Sequence, residues 1–319
     1  MSSVVEVYLG EALASYHFGP RHPFGAYRYP AFERAFHRAG LAEKTRLAEP
    51  APPADDAALT LFHTEDYVAR VKRQSETGAG VLDEGDTPAF RGVYEAAATV
   101  AGTALRATHR LVHGDTRRAF IPIAGLHHAR RDSASGFCVF NDCAIVIEAL
   151  RRWYGIHNIA YVDIDAHHGD GVFYAFEADP ELIFADLHED GRYLYPGSGR
   201  IDETGKGAAK GTKLNIPMPP YSDDGAFREI WSDVITFLER FKPEFVILQC
   251  GVDSLRDDPL THLQYSPHAH AHATATLCQL ADRFAAGRLL ALGGGGYNPD
   301  NIAEGWTTVV RTLVEATPA

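Results

Sequence analysis

The chain has 319 residues, enough to bury a large core, and α/β enzymes often reach this size as one domain. Hydrophobic residues make up 45% and charged residues 23%, an ordinary soluble composition, and a formal net charge of −12 repels nucleic-acid phosphates and favours cationic partners. Four cysteines without a CxxC pair exclude a disulfide scaffold, and no apolar run approaches the roughly 18 residues that span a bilayer, so the chain reads as a reduced, cytoplasmic protein that binds neither nucleic acid nor membrane.

In chain order, residues 1–60 carry scattered Pro, Gly and aromatic residues. The stretch Tyr16–Tyr29 (YHFGPRHPFGAYRY) reads as a structured loop, and the Pro- and Ala-rich Ala48–Ala57 as a connection too short to be a domain linker. From about residue 117 short apolar runs alternate with longer amphipathic segments. The runs Arg118–Ile123, Asn158–Ile164, Leu182–Ala185, Phe245–Gln249 and Arg288–Leu292 are expected strands. Asp142–Tyr154, Gly225–Phe241, His268–Ala286 and Asn301–Glu315 are expected helices. Strands apolar throughout and separated by helices predict a parallel sheet covered on both faces. The expected fold is therefore α/β: one domain over residues 1–319, a single parallel sheet sandwiched by helices. Such sheets hold their sites in loops beyond the carboxyl ends of the strands.

Four of the expected strand ends deliver chemistry-bearing residues. The strand at 158–164 runs into Asp165-Ala166-His167-His168-Gly169-Asp170, and that at 245–249 into Cys250-Gly251-Val252-Asp253. The strand at 288–292 runs into Gly293-Gly294-Gly295-Gly296-Tyr297, and the one ending near Ile123 into Gly125-Leu126-His127-His128. Residues i and i+2 of an extended segment face the same way, so Asp165 and His167 can meet one ion, with Asp253 as a third ligand. Two carboxylates and one imidazole with an open position suit a catalytic Zn2+ or Fe2+. Adjacent side chains diverge, so His127 and His128 are expected to pair separately with carboxylates, for which Asp163 and Asp170 are available. Such pairs beside a metal-activated water supply general base and acid. Tyr297, after four glycines, can donate to a developing oxyanion. The glycine run lacks the Lys-Ser/Thr of a phosphate loop. His268, His270 and His272 resemble a metal tract, but at the start of a helix His268 and His272 share an exposed face while His270 points elsewhere.

These stretches resemble the zinc-dependent histone deacetylase family, which includes acetoin-utilisation and acetylpolyamine amidohydrolase proteins. The motifs that carry the resemblance are GLHHA (125–129), SGFCVFND (135–142), VDIDAHHGDG (162–171), YPGSG (195–199), LQCGVDSLRDDPL (248–260) and LGGGGYN (292–298), extended N-terminally by HPFGAYR (22–28) and FHTEDYV (62–68). The resemblance implies an arginase/deacetylase-type three-layer fold and zinc on Asp165, His167 and Asp253. It further implies a catalytic pair, His128 the main proton shuttle and His127 its electrostatic partner, with Asp163 and Asp170 behind them and Tyr297 polarising the substrate carbonyl. Gly136, Phe137 and Tyr195 would wall an acyl-lysine tunnel, Asp86 would hold the substrate backbone at the rim, and Arg28 would lie below the pocket. A structural K+ is also implied, although Asp186 replaces a small residue beside that site.

Arginases share the fold, but their second metal needs aspartates where this chain has Gly169 and Gly251, so one metal is expected. A catalytically silent binding module would show a broken ligand set or lack Tyr297, and neither is the case. The expected activity is removal of acetyl groups from lysine ε-amines in proteins or peptides, with acetylpolyamines as the alternative substrate. Leu260 stands where acetylpolyamine enzymes can carry an acidic gatekeeper, which favours the lysine stem.

Overall fold

The computed structural model describes residues 5–83 and 85–317, so the expected domain span of 1–319 reaches beyond the described residues at both ends. The strands are β1 (Val5–Tyr8), β2 (Arg46–Ala48), β3 (Arg118–Ile121), β4 (Ile159–Asp163), β5 (Leu182–Glu189), β6 (Lys213–Met218), β7 (Phe245–Gln249) and β8 (Leu289–Leu292). They form one sheet in the order β2-β1-β3-β8-β7-β4-β5-β6, every neighbouring pair parallel. The helices are α1 (Glu11–Ala14), α2 (Arg28–Arg38), α3 (Asp56–Leu59), α4 (Glu65–Thr77), α5 (Val93–Val112), α6 (Asp142–Tyr154), α7 (Asp170–Phe176), α8 (Asp224–Glu239), α9 (Pro267–Phe284) and α10 (Pro299–Glu315). β8 packs against both α5 and α9, which puts these helices on opposite faces; α2, α10, α9 and α8 pack in one layer, and α4, α5 and α6 in the other. Among the described residues no helix is long and apolar enough to cross a membrane.

The five apolar runs read as strands are five of the six inner ones, and β3, β4, β5, β7 and β8 are buried along their whole length. The edge strands β2 and β6 were not legible: β2 is three residues long, and β6 contains Pro217, which only an edge tolerates readily. β1 and α5 also went unread. Within α5, Gly102 lets the Pro52 carbonyl approach, since a Cβ there would stand 2.4 Å from it. β5 runs four residues past Ala185 because Asp186, His188 and Glu189 are buried with partners: Asp186 with His188 at 2.7 Å, and Glu189 with His262 at 2.7 Å. The helix at 142–154 matches its expectation end to end. α8, α9 and α10 start slightly earlier than expected, behind side-chain caps from Asp223, Ser266 and Asn298, and α9 and α10 have Pro at their starts.

Sheet order does the positioning. Neighbours β3, β8, β7 and β4 end at one rim, and their loops carry His127-His128, the glycines before Tyr297, Asp253 and Asp165.

Candidate active site

Asp165, His167 and Asp253 are buried, and one ligand atom from each lies within 4.8 Å of the others. His167 Nδ1 stands 3.1 Å from Asp165 Oδ1 and 3.0 Å from Asp253 Oδ2. The chain is bent rather than extended at 165–167, yet the Asp165 and His167 side chains converge as the spacing predicts. Burial, then the Asp165 charge, lifts the Asp253 carboxyl to about 7. Burial would raise Asp165 too, but His127 and His167 hold it well below the carboxylate range. Against burial, the two carboxylates lift the His167 imidazole well above its ordinary range. Two buried carboxylates thus compete for one imidazolium, a deficit of positive charge that a cation would correct. The donor set fits a catalytic Zn2+ or Fe2+. No further carboxylate fits at the two positions a second metal would need: a Cβ on Gly251 would lie 2.0 Å from Asp165 Oδ2, and one on Gly169 2.9 Å from Asp163 Oδ2.

Each histidine of the pair has the carboxylate expected. His127 Nδ1 donates to Asp163 Oδ2 at 2.8 Å, and His128 Nδ1 to Asp170 Oδ1 at 2.7 Å. The expected divergence is corrected: residues 127–128 form a turn, and the rings meet with their Nε2 atoms 3.1 Å apart. Burial lowers the His127 pKa, but Asp163 and Asp165 outweigh it and raise it to about 9. Burial and the charge of His127 lower His128 to about 4. At neutral pH one ring is therefore charged and the other free to accept a proton, the separation acid–base work requires.

Tyr297 is held by its backbone: its N–H donates to Asp258 Oδ2 at 2.8 Å, and its carbonyl accepts the Tyr27 hydroxyl at 2.8 Å. The glycines before it permit close approach. A Cβ on Gly295 would lie 2.0 Å from Asp253 Oδ2, and Gly294 has φ +69° with the Gln249 amide against it. Gly136, at φ +52°, passes His128 so closely that a Cβ would stand 2.5 Å from Cδ2. Phe137 holds φ +67°, a strained value for an aromatic residue. It is clamped by Tyr16, whose hydroxyl donates to its carbonyl at 2.7 Å, and by Thr87 Oγ1, which accepts its N–H at 3.1 Å. Its ring meets Tyr297 edge-on at 5.9 Å, and Tyr195 meets His128 at 5.3 Å. Asp86 lies farther out, lining a groove with Tyr195. Leu260 donates its N–H to Asp258 Oδ1 at 3.0 Å, so one carboxylate ties it to Tyr297. Arg28 is buried beneath, donating to the carbonyls of Gly296 at 2.9 Å and Gly294 at 2.5 Å.

Sequence reasoning missed several residues on which this site rests. Gln249 Nε2 donates to Asp165 Oδ2 at 2.8 Å and to the Gly125 carbonyl at 3.2 Å, while Oε1 accepts the Gly251 N–H at 2.7 Å. Asp142 accepts the N–H groups of Gly125 at 2.9 Å and Leu126 at 2.7 Å, and Asn141 reaches the His127 and Ala129 carbonyls, so one helix start holds the histidine loop. The available signal was, for Gln249, a polar residue on an apolar strand end and, for Asn141 and Asp142, their place at a helix start. His268 and His272 are exposed as expected, whereas His270 turns inward and donates Nε2–H to the Gly251 carbonyl at 2.8 Å. Asp186 is buried, with both oxygens engaged by His188 Nδ1 and the Gly169 N–H, so a potassium ion there would share it with those donors.

Residues 22–313 match the histone deacetylase domain, which places the chain among the deacetylase hydrolases, a metal-dependent class. The chain belongs to the histone deacetylase family. It is 38% identical to acetoin utilization protein AcuC of Bacillus subtilis strain 168 over 77% of this chain, spanning 65% of the Bacillus protein's length. With AcuC of Staphylococcus aureus strain MSSA476 it shares 32% identity, covering 98% of this chain and 82% of that one. The crystal structure of the HDA15 HD domain superposes with a TM-score of 0.90 at 26% identity, covering 99% of this chain and 90% of that chain.

Proposed function

We propose that this chain, acting as one catalytic domain in the cytoplasm, removes acetyl groups from the ε-amine of lysine in proteins or peptides. Asp165, His167 and Asp253 would hold one Zn2+, with Fe2+ as the alternative ion. The observation that carries this reading is the convergence of that buried ligand group with two touching histidines whose proton affinities are pushed apart. Bound zinc would polarise the acyl carbonyl and lower the pKa of water to about 7. The lysine stem enters between Phe137 and Tyr195 and passes Gly136, where a side chain would collide with His128. His128, neutral at pH 7, takes the proton of the attacking water, and its bond to Asp170 keeps Nδ1 protonated so that Nε2 accepts. Tyr297 donates its hydroxyl hydrogen to the oxyanion as the carbonyl becomes tetrahedral. The histidine pair, bridged at 3.1 Å, then returns a proton to the departing amine.

An acetylpolyamine is the second reading, because the same machinery would cleave any acetylated primary amine. Leu260 offers no charge to a distant ammonium, which favours lysine. The test compares acetyl-lysine peptides with acetylated polyamines on one zinc-reconstituted preparation. Preference for the peptides is expected, and a polyamine preference above about tenfold, or 1.4 kcal/mol, would overturn the substrate choice.

A further inference from the structure

Beside Tyr195 lies an open groove of about 700 Å³ lined by Asp83, Asp86, Arg70, Arg130, Ser135 and Pro196 among others. Most of its charged groups are already engaged. Arg70 donates to the Leu82 carbonyl and lies 5.5 Å from the centre of the Tyr67 ring. Asp83 Oδ1 accepts three backbone N–H groups, from Gly85, Asp86 and Thr87, and Asp86 Oδ1 accepts the Thr87 hydroxyl at 3.2 Å. Arg130 is different. Its side chain is 62% exposed, and among the described residues its one ion contact is Asp170 Oδ2 at 3.6 Å, beyond hydrogen-bonding reach. The other oxygen of Asp170 is held by His128 at 2.7 Å.

We propose that Arg130 is a specificity residue that binds a carboxylate carried by the substrate at, or next to, the α-carbon of the acetylated lysine. The position supports this. Tyr195 packs on His128 and also lines the groove, so it spans the step from the reacting centre to Arg130. A stem passing Tyr195 therefore delivers its α-carbon to the groove. A guanidinium fork matches a carboxylate through two parallel hydrogen bonds, a geometry no neutral amide reproduces.

This inference rests on the acetyl-lysine reading above, and the test separates the two. kcat/KM is measured for three substrates: acetyl-lysine capped at both ends, the same compound with a free α-carboxylate, and a capped dipeptide placing Glu beside acetyl-lysine. Wild type should favour one or both carboxylate substrates by about 3–5-fold, the upper size of one charge-assisted contact at an exposed site. Which of the two gains identifies the carboxylate's source. Arg130→Gln should erase the preference while leaving the fully capped substrate within about twofold, and Arg130→Lys should restore part of it. Equal rates on all three substrates in wild type, or a preference that survives Arg130→Gln, would overturn the role of Arg130 and leave the deacetylase reading standing. Wild type inert on all three would overturn both.

Discussion

Replacing Gln249 by Leu tests whether this amide holds the metal ligand in place. Gln249 sits at the end of β7 with its side chain caged by three loop glycines: Gly125, Gly251 and Gly294. Leu nearly preserves the volume but leaves the buried Gly251 N–H and Gly125 carbonyl without this partner. It also leaves Asp165 Oδ2 with the Gly295 N–H but without the amide donor. An unsatisfied buried N–H costs about 1–3 kcal/mol, while the Gly125 carbonyl keeps the His127 N–H at 2.9 Å, so the metal-free protein should lose about 1–3 kcal/mol. At roughly 2.1 cal/mol/K of unfolding entropy per residue over 319 residues, that is a fall in Tm of about 1.5–4.5 °C. Asp165 with one donor fewer is less firmly oriented, and zinc affinity should fall by about 10–100-fold. Thermal melts of the metal-free protein and zinc competition against a chromophoric chelator read the two effects separately. Gln249→Glu keeps the acceptor for Gly251 but turns an oxygen towards Asp165. It should melt lower than the Leu variant at pH 8 and recover towards pH 5 as the new carboxyl takes up a proton. If Gln249→Leu melted within about 1 °C of wild type and bound zinc equally well, the positioning argument would be wrong, since a shift that small is below 1 kcal/mol for a chain of this size.

Tyr297→Phe should lower kcat by about 10²–10³-fold with zinc affinity unchanged, because it removes one oxyanion donor and no ligand; near-full activity would refute the assigned role. The pH dependence of kcat/KM should be bell-shaped. The acid limb follows the proton acceptor His128, which burial and the charge of His127 lower to about 4, and the alkaline limb lies near 9, where His127 loses its proton. Because the folded pKa of His127 lies above its ordinary value, its contribution to stability is complete below about 6.5 and is lost as pH rises through about 9. His127→Gln should remove that alkaline loss from urea titrations of the metal-free protein. Gly251→Ala would place a methyl 2.0 Å from Asp165 Oδ2, so zinc affinity should fall at least as far as in Gln249→Leu; chelator competition measures it.

The reactive groups were legible because each depends on local spacing. Asp165 and His167 share a loop, His127 and His128 are adjacent, and Tyr297 follows its glycines in the chain. Five of the six inner strands were legible because burial on both faces leaves them apolar, whereas β1 carries Glu6 in its four residues. The direction of the histidine rings was not, because a turn at 127–128 and the partners Asp163 and Asp170 set it, and those carboxylates lie on other segments. Nor was the far half of β5, where Asp186, His188 and Glu189 imitate a loop until their partners are seen.

By its own pattern, then, the amino-acid sequence determined which residue types arrive at the ends of parallel strands and which helices cap them, since periodicity, caps and glycines act within a few residues. Only the tertiary structure decided which of them meet. Sheet order sets β7 between β8 and β4, and that alone brings Gln249 against Asp165 and puts Asp253 opposite His167. Such pairings are contacts between residues tens of positions apart, and they exist only once the sheet closes the distance.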